Sequence, residues 1–597
     1  MKKSYLLLLF CLSLLPLSAQ EGFLLEAESF PLTGGWLIDP QFVEQVGSPY
    51  LIAHGAGKAV ADAEAKIKLP SKRTYHVWVR TKNWVPGNWE APGRFKVAID
   101  NTPLENTLGL TPGWGWEYAG AFKNKAKVFS VKLQDLTGFN GRCDALYFSQ
   151  DLANPPPNEP EALAAWRTEK LGTPEAPEEV KDYDLVVTGG GIAGCAAAIA
   201  AAESGLRVAL IHDRPVLGGN ASSEIRVHTL GIHGKFARIL KLIDTEHYPN
   251  GHSDAIKDQQ KRDANMASFE NIDLFLNWRA YDAVAVDNRI QFVDARHTAT
   301  NERIRFNAPL FLDSTGDGWI GYWAGADFSY GRESADTYGE YWDKWGEIWS
   351  PEEADNAVMG SSILFQTRVA DAPVDFPDVP WAEPVAQEHA AVAGEWYWEF
   401  SRNDLHQIDD AEEIRDHLLR AIYGSFGNAK KLPENANYTF DWVGYLVGKR
   451  ESRRLIGDHL FTFNDVKDQT PFPDSVVQEK RGVDVHYQRN LLEEETPDFL
   501  SEALFYWGGI YYIPYRSLYS RNIDNLFMAG RNFSCSHIGL GGPRVMNTCG
   551  QMGAAVGFAA SLCKKYGVSP RAIYENHLEE YMRLIEEQQE QEPAEKK

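Results

Sequence analysis

Asp184-Leu-Val-Val-Thr188 is a short, β-branched apolar run that leads straight into Gly189-Gly-Gly-Ile-Ala-Gly194. An alanine-rich stretch follows, stops at Ser204-Gly205, and gives way to a second apolar run, Arg207-Val-Ala-Leu-Ile211. Strand, G-x-G-x-x-G, helix and strand in that order form one half of a dinucleotide-binding α/β fold. Gly189 makes the tight turn, Gly191 lets the backbone approach a pyrophosphate, and Gly194 lets helix and strand pack closely. The pyrophosphate sits on the helix N-terminus, where free N–H groups and the helix dipole favour negative charge. An acidic ligand for the ribose is expected at the end of the second strand. Two residues stand there: either His212 serves as a neutral acceptor, or Asp213 takes the role.

Three further segments select FAD over a nicotinamide cofactor. Leu217-Gly-Gly-Asn-Ala-Ser-Ser-Glu224 puts the pair Gly218 and Gly219 just after the second strand, where flexible backbone can run beside an extended cofactor. Phe311-Leu-Asp-Ser-Thr-Gly-Asp317 is an apolar strand ending in a turn at Thr315, Gly316 and Asp317. More than 300 residues after the fingerprint come Asn525-Leu-Phe-Met-Ala-Gly-Arg-Asn532, carrying Gly530 and Arg531, and Gly539-Leu-Gly-Gly-Pro-Arg-Val-Met-Asn547, carrying Gly541, Gly542 and Asn547. A compact nicotinamide domain has no use for that return. Pro543 suits the first turn of the helix that follows, whose positive end would favour an anionic reduced flavin.

These segments resemble the FAD-dependent oxidoreductase family that includes the flavin subunit of heterodisulfide reductase-like proteins, and in particular its exported members found with polysaccharide-degrading genes. The matching stretches, in order, are Gly189–Gly194, Arg214–Gly219, Asp313–Asp317, Gly448-Lys-Arg-Glu-Ser-Arg-Arg-Leu-Ile-Gly-Asp458, Ile513-Pro-Tyr-Arg-Ser517 and Ala529–Thr548, within a cover of about 400 residues. The resemblance implies bound FAD and redox chemistry and leaves the substrate and the electron acceptor open. Some relatives carry iron–sulfur clusters. Here Cys143, Cys195, Cys535, Cys549 and Cys563 lack any C-x-x-C pair, so neither such a cluster, nor zinc, nor a disulfide framework is expected, and no metal site is assigned.

The chain opens with Lys2 and Lys3, an apolar run from Tyr5 to Leu17, then Ser18 and Ala19. That layout is a cleavable secretory signal over residues 1–19, and it predicts a periplasmic or secreted protein. The run is shorter than the ~20 residues of a spanning helix, and no later run is long enough, so no membrane span is expected. The formal charge is −24, or −26 once Lys2 and Lys3 leave, and a surface so acidic repels nucleic acid and anionic lipid.

Residues 22–150 read as an all-β sandwich: short alternating runs such as Thr74–Arg80 and Val128–Leu133, punctuated by Gly, Pro and Asn. Trp84, Trp89, Trp114 and Trp116 fall in expected loops, where they either stack on sugar rings or pack at the core and at interfaces. Leu25-Glu-Ala-Glu-Ser29, Trp78-Val-Arg80 and Arg142-Cys-Asp-Ala-Leu-Tyr147 resemble galactose-binding-like sandwiches and the carbohydrate-binding modules built on them. A Pro-, Glu- and Ala-rich linker is expected over 151–181, a Rossmann-like FAD-binding part over 182–334, an inserted substrate cap rich in Trp and Tyr over 335–505, the C-terminal FAD-binding return over 506–585, and a polar tail over 586–597.

A flavin dehydrogenase acting on a C–H beside an alcohol needs a base for the heteroatom proton. His537, just before the expected flavin helix, is the first candidate; its alternative is a structural histidine fixing the loop. His486 and Asp484 come next. Arg450, Arg453, Arg454 and Arg544 either bind an anionic substrate group or form a buried ion-pair network with Glu451 and Asp458. The expected activity is hydride removal from a sugar or glycan-derived alcohol. Its rivals are a reductase of an unsaturated acid, gripped by Arg454 or Arg544, and a non-catalytic glycan-binding protein with a relic flavin fold.

Overall fold

The computed structural model describes residues 22–126, 128–174, 176–341, 346–492 and 497–590; the expected signal peptide and the end of the polar tail lie outside these residues. At the centre is a parallel sheet of five strands in the order Ile272–Leu276, Val208–His212, Leu185–Thr188, Leu310–Asp313, Leu526–Met528. The three middle strands are buried at every residue, as a parallel sheet covered on both faces requires. The helix Ile192–Glu203, with seven alanines and no β-branched run, lies against the long helix Met546–Tyr566. Their backbones nearly touch: a Cβ at Gly553 would stand 1.9 Å from the Ala193 carbonyl oxygen, and one at Gly557 2.5 Å from that of Ala197. The long helix starts at Met546, with Val545 as its N-cap, so Pro543 belongs to the preceding turn and not to the first helical turn. The fold is therefore α/β with a Rossmann-type centre, and the N-terminal region is strand-rich.

That region has antiparallel sheets whose inner faces share one apolar core including Trp36, Phe95, Val131 and Phe148. Three of the four tryptophans expected in loops turn to interfaces, Trp116 from within the strand Gly115–Lys123: Trp84 is buried edge-on against Trp381 at 5.3 Å, Trp114 donates its indole N–H to Glu412, and Trp116 donates to the Pro157 carbonyl. Trp89 alone among the four is exposed, at 42 %. Within the expected linker, the helix Pro160–Leu171 docks on the sandwich, because buried Arg167 pairs with Asp144 at 2.5 Å and donates to Ser48 Oγ at 2.6 Å. That stretch is a packed element and not a free tether.

Residues 335–505 carry the helix Ala411–Lys430, whose buried face meets the sandwich. There Arg415 pairs with Asp39 at 2.9 Å, and Arg142 pairs with Asp416 at 2.5 Å and Glu412 at 2.7 Å. The chain returns through Ser475–Glu479 paired with Tyr511–Pro514, and the last helix, Leu578–Glu590, includes the first residues of the expected tail. Among the described residues no helix is long and apolar enough to cross a membrane, and the five cysteines are buried and unpaired.

Candidate functional site

One cavity of about 750 Å³ opens at the C-terminal ends of the core strands and continues beneath residues 395–505. Its first half is built by glycines. Gly189, at φ +105°, leaves 2.2 Å between an ideal Cβ and the Ser314 carbonyl, so no side chain fits. Gly191 caps the helix Ile192–Glu203 and bridges to Gly218, whose N–H donates to the Gly190 carbonyl at 2.7 Å. Gly219 faces Gly191 across the cavity wall, and Gly194, off the wall, packs 1.9 Å (ideal Cβ) from the Gly189 carbonyl.

At the end of the second strand the two open candidates differ. His212 accepts the Gly190 N–H at Nδ1 (3.1 Å) and donates from Nε2 to the Val216 carbonyl (3.0 Å), so both ring nitrogens are spent on the backbone. Burial, and then Arg214, lower its pKa to about 4, which keeps it neutral. His212 thus positions the turn and has no atom left for a ribose. Asp213 lines the cavity and accepts from Arg279 through one oxygen at 3.1 Å.

The turn after Leu310–Asp313 supplies the opposite wall. Thr315 is held by Asp313 Oδ1, Gly316 adopts φ +80° with Arg531 packed where a Cβ would be, and Asp317 binds Lys449 (2.7 Å), Arg531 (2.7 Å) and Ser452 (2.8 Å). Against its burial, Lys449 and Arg531 hold the Asp317 carboxyl well below the usual range. Gly530 completes this wall at φ +111°. Gly541, Gly542 and Asn547 do not line the cavity: the two glycines admit Val483 and Tyr511, and Asn547 donates to the Gly231 carbonyl. Gly541 packs against the strand Val483–His486, Gly542 against Tyr511, and Asn547 holds the Leu230–Gly231 turn, which departs from the expected cofactor contact. The remaining walls, with a glycine cradle at a helix N-terminus, an acid after the second strand and a cavity of this volume, fit FAD.

The second half corrects the expected base. His537 sits in a buried network: its ring meets Glu451 at 2.9 Å, its backbone N–H donates to Glu333, and Arg454 pairs with both carboxylates. Neither His537 nor Arg454 lines the cavity. The structural alternative describes both, because the carboxylates that neutralise Arg454 also fix the imidazole.

His486 and Asp484 do line it. His486 Nδ1 lies 2.6 Å from Glu399, which also accepts from Ser501 at 2.6 Å and pairs with Arg450 at 3.3 Å. Against burial, Arg450 and His486 lower Glu399 to about 2, so it stays ionised. Nδ1 faces Glu399 and Nε2 lies 3.3 Å from Asp484 Oδ1, so the ring stands between two carboxylates. Asp484 in turn pairs with Arg481 (2.8 Å) and Arg544 (3.5 Å), and the Nε atoms of both arginines are buried without a protein partner. Burial lowers Arg544, opposed by Asp484. Trp396, edge-on to His486 at 5.4 Å, and Phe505 add apolar walls, and His228 lies against His247 at 4.2 Å in the same cavity. Glu399, Arg481, His228, His247 and Arg279 were not singled out in sequence as site residues. Glu399 stands 87 residues from His486, and no local spacing links them.

A family model for FAD dependent oxidoreductases matches residues 184–582. No curated protein matches the chain. Among solved structures, a geranylgeranyl bacteriochlorophyll reductase-like protein from Thermoplasma acidophilum is 13% identical, with 69% of this chain and 84% of that chain covered and a TM-score of 0.32. A variant of E. coli quinol fumarate reductase is 12% identical, with 69% and 78% covered and a TM-score of 0.26. A family 35 carbohydrate binding module from Clostridium thermocellum is 12% identical, with 22% of this chain and 98% of that chain covered and a TM-score of 0.18.

Proposed function

The chain belongs to the FAD dependent oxidoreductase family, and we propose that it oxidises an alcohol on an acid-bearing sugar, with His486 accepting the hydroxyl proton. One observation carries this reading: His486, backed by Glu399, lines the same cavity as the dinucleotide turns at Gly189 and Gly218. FAD, when bound, supplies the two-electron acceptor for the hydride that leaves the alcohol carbon. The chain's own part is the proton. Glu399 holds the ring through Nδ1, Nε2 of the neutral imidazole takes the proton of a substrate hydroxyl that comes between it and Asp484, and the two carboxylates stabilise the imidazolium that results.

The charge balance points to the substrate. Arg450, Arg481 and Arg544 face two carboxylates, Asp484 and Glu399, leaving one cation in excess, and two guanidinium Nε atoms lack an acceptor. A sugar carboxylate supplies the missing negative charge, while Trp396 and Phe505 offer flat apolar surface to a pyranose ring. The subfamily reading, an exported heterodisulfide reductase flavin-subunit-like protein working beside polysaccharide degradation, rests on the motifs at Gly448–Asp458 and Ile513–Ser517 and on the leader-like first nineteen residues.

The same arginines favour one second reading, a reductase of an unsaturated acid, in which the arginines hold the carboxylate and an imidazolium at His486 returns a proton to carbon. The two differ in direction, so anaerobic spectra separate them. Bleaching of the oxidised protein by uronic acids, but not by neutral aldoses, is the expected result, and His486→Ala should slow it ~10²–10⁴-fold. Reoxidation of the chemically reduced protein by unsaturated acids, with no bleaching by any sugar, selects the reductase.

A further inference from the structure

The sandwich reaches into the cofactor cavity. Gln41, Phe42, Glu44 and Gln45, which follow the strand Leu37–Asp39 and include the start of the short helix Val43–Val46, line it together with Gly189, Asp213 and Arg279. Glu44 is the charged member. Both its oxygens take Arg279 Nη2, at 2.7 and 2.8 Å, while Arg279 Nη1 gives to Asp213 Oδ2 at 3.1 Å. Against burial, Glu44 and then Asp213 raise the Arg279 pKa, so the guanidinium is a fixed cation shared between two carboxylates.

The segment that presents Glu44 is itself pinned. Gln41 accepts the Val447 N–H at 2.8 Å and donates to the Tyr445 carbonyl at 3.2 Å, and Gln45 donates to the Ile408 carbonyl at 2.9 Å. Phe42 is buried under the Arg415 guanidinium at 4.8 Å. Three parts of the chain therefore meet at one end of the cavity: the sandwich with Glu44, the second-strand end with Asp213, and the strand Trp278–Val286 with Arg279.

We infer that Glu44 of the sandwich is a positioning residue for the adenosine end of the cofactor, acting through Arg279 on the carboxylate that receives the ribose diol. This rests on the reading of the cavity as an FAD site. The physical reason is competition. An arginine left to Asp213 alone would take both carboxylate oxygens in a bidentate pair, the geometry guanidinium and carboxylate favour. With Nη2 committed to Glu44, Asp213 Oδ1 keeps its capacity to accept from a hydroxyl. The sandwich on this account retains the cofactor, and its docking is a condition of tight flavin binding, not only of substrate delivery.

The test compares two flavins on the full chain. FAD carries the adenosine half and FMN lacks it, so titrations of apoprotein with each, followed by flavin fluorescence, isolate the end at issue. Glu44→Gln keeps the shape, removes the charge and puts a donor amide nitrogen in place of one of the two oxygens that take Arg279 Nη2; its side chain is 30 % exposed, so the folded state tolerates it. The expected result is a ten- to hundredfold weaker FAD affinity with FMN affinity unchanged, and an apoprotein melting temperature within a degree or two of wild type. Arg279→Gln should weaken FAD less than Glu44→Gln, because it removes the competitor along with its restraint. Unchanged FAD affinity in Glu44→Gln, with wild type binding FAD, overturns the inference and leaves the cofactor reading intact. Loss of FAD and FMN affinity to the same extent also overturns it. A wild-type chain that binds neither flavin sinks the cofactor reading underneath it.

Discussion

His212 shows how a single side chain can be mistaken for a ligand by position alone. Its ring closes the turn between Gly190 and Val216, and that closure demands the neutral form. The unfolded chain takes up a proton here below pH ~6.5, whereas the folded ring refuses it until about pH 4. Stability therefore falls as pH drops through that window, by up to ~3 kcal/mol, and is fully present above it. His212→Asn can still accept from Gly190 but cannot titrate, so the melting-temperature difference between wild type and variant should shrink or reverse by several degrees between pH 7 and pH 4.5. A difference independent of pH would refute the assignment. Rate rather than stability separates the two histidines considered as bases: His537→Gln should lower the melting temperature while leaving flavin reduction within about threefold, whereas His486→Ala should slow reduction ~10²–10⁴-fold. His537 is bound to Glu451 inside a network that keeps Arg454 neutralised, and losing a buried partner of that kind costs stability.

Between the two central helices, stability and cofactor binding are joined. Gly553→Ala gains about 1 kcal/mol of helix propensity, yet its methyl would stand 1.9 Å from the Ala193 carbonyl, which is backbone and cannot rotate away. Overpacking of about 1–3 kcal/mol outweighs the gain, and relief comes only by moving the helix whose N-terminus Gly191 caps. The expected outcome is a lower melting temperature together with a lower ratio of bound flavin to protein; loss of neither would show that the helices part without disturbing the cradle. At this scale the sequence was legible where the signal is local. The central strands, the turn glycines and the distant return at Asn525–Asn532 are each coded within a few consecutive residues. Pro543 misled, because a proline suited to a first helical turn also suits the turn ahead of it. Gly541 and Gly542 misled for a related reason: glycine signals close approach without saying whether a ligand or a tyrosine does the approaching. The pairing of His486 with Glu399 has no local code, and it exists because the strand Val483–His486 and the isolated bridge at Glu399 meet in space.

In the whole molecule the sandwich and the helix Ala411–Lys430 are joined by buried charges. Arg415 is fully buried and answers Asp39 on one side and Asp416 on the other, with Tyr50 accepting from its remaining nitrogen at 2.9 Å. Sequence composition suggested an appended sugar-binding unit, since tryptophans in loops stack on sugars and pack at interfaces with equal ease. The indoles of Trp84 and Trp114 settle that choice at their own positions by meeting Trp381 and Glu412. A joint of this kind makes the sandwich unfold with its neighbours. Tryptophan fluorescence and flavin release should therefore report one shared thermal transition in the wild type. Arg415→Ala strands Asp39 in a dry interface while Asp416 keeps Arg142, and breaking a buried pair from one side costs about 3–5 kcal/mol. That loss should lower the midpoint and split the transition, with flavin released before the remaining tryptophan signal changes, since the residues that follow Asp39 line the cofactor cavity. Replacing Asp39 by Asn in the same chain removes the stranded charge and should recover part of the loss. Two separate transitions already present in the wild type would mean that the sandwich folds and melts alone, and that its hold on the cavity is weaker than these buried pairs imply.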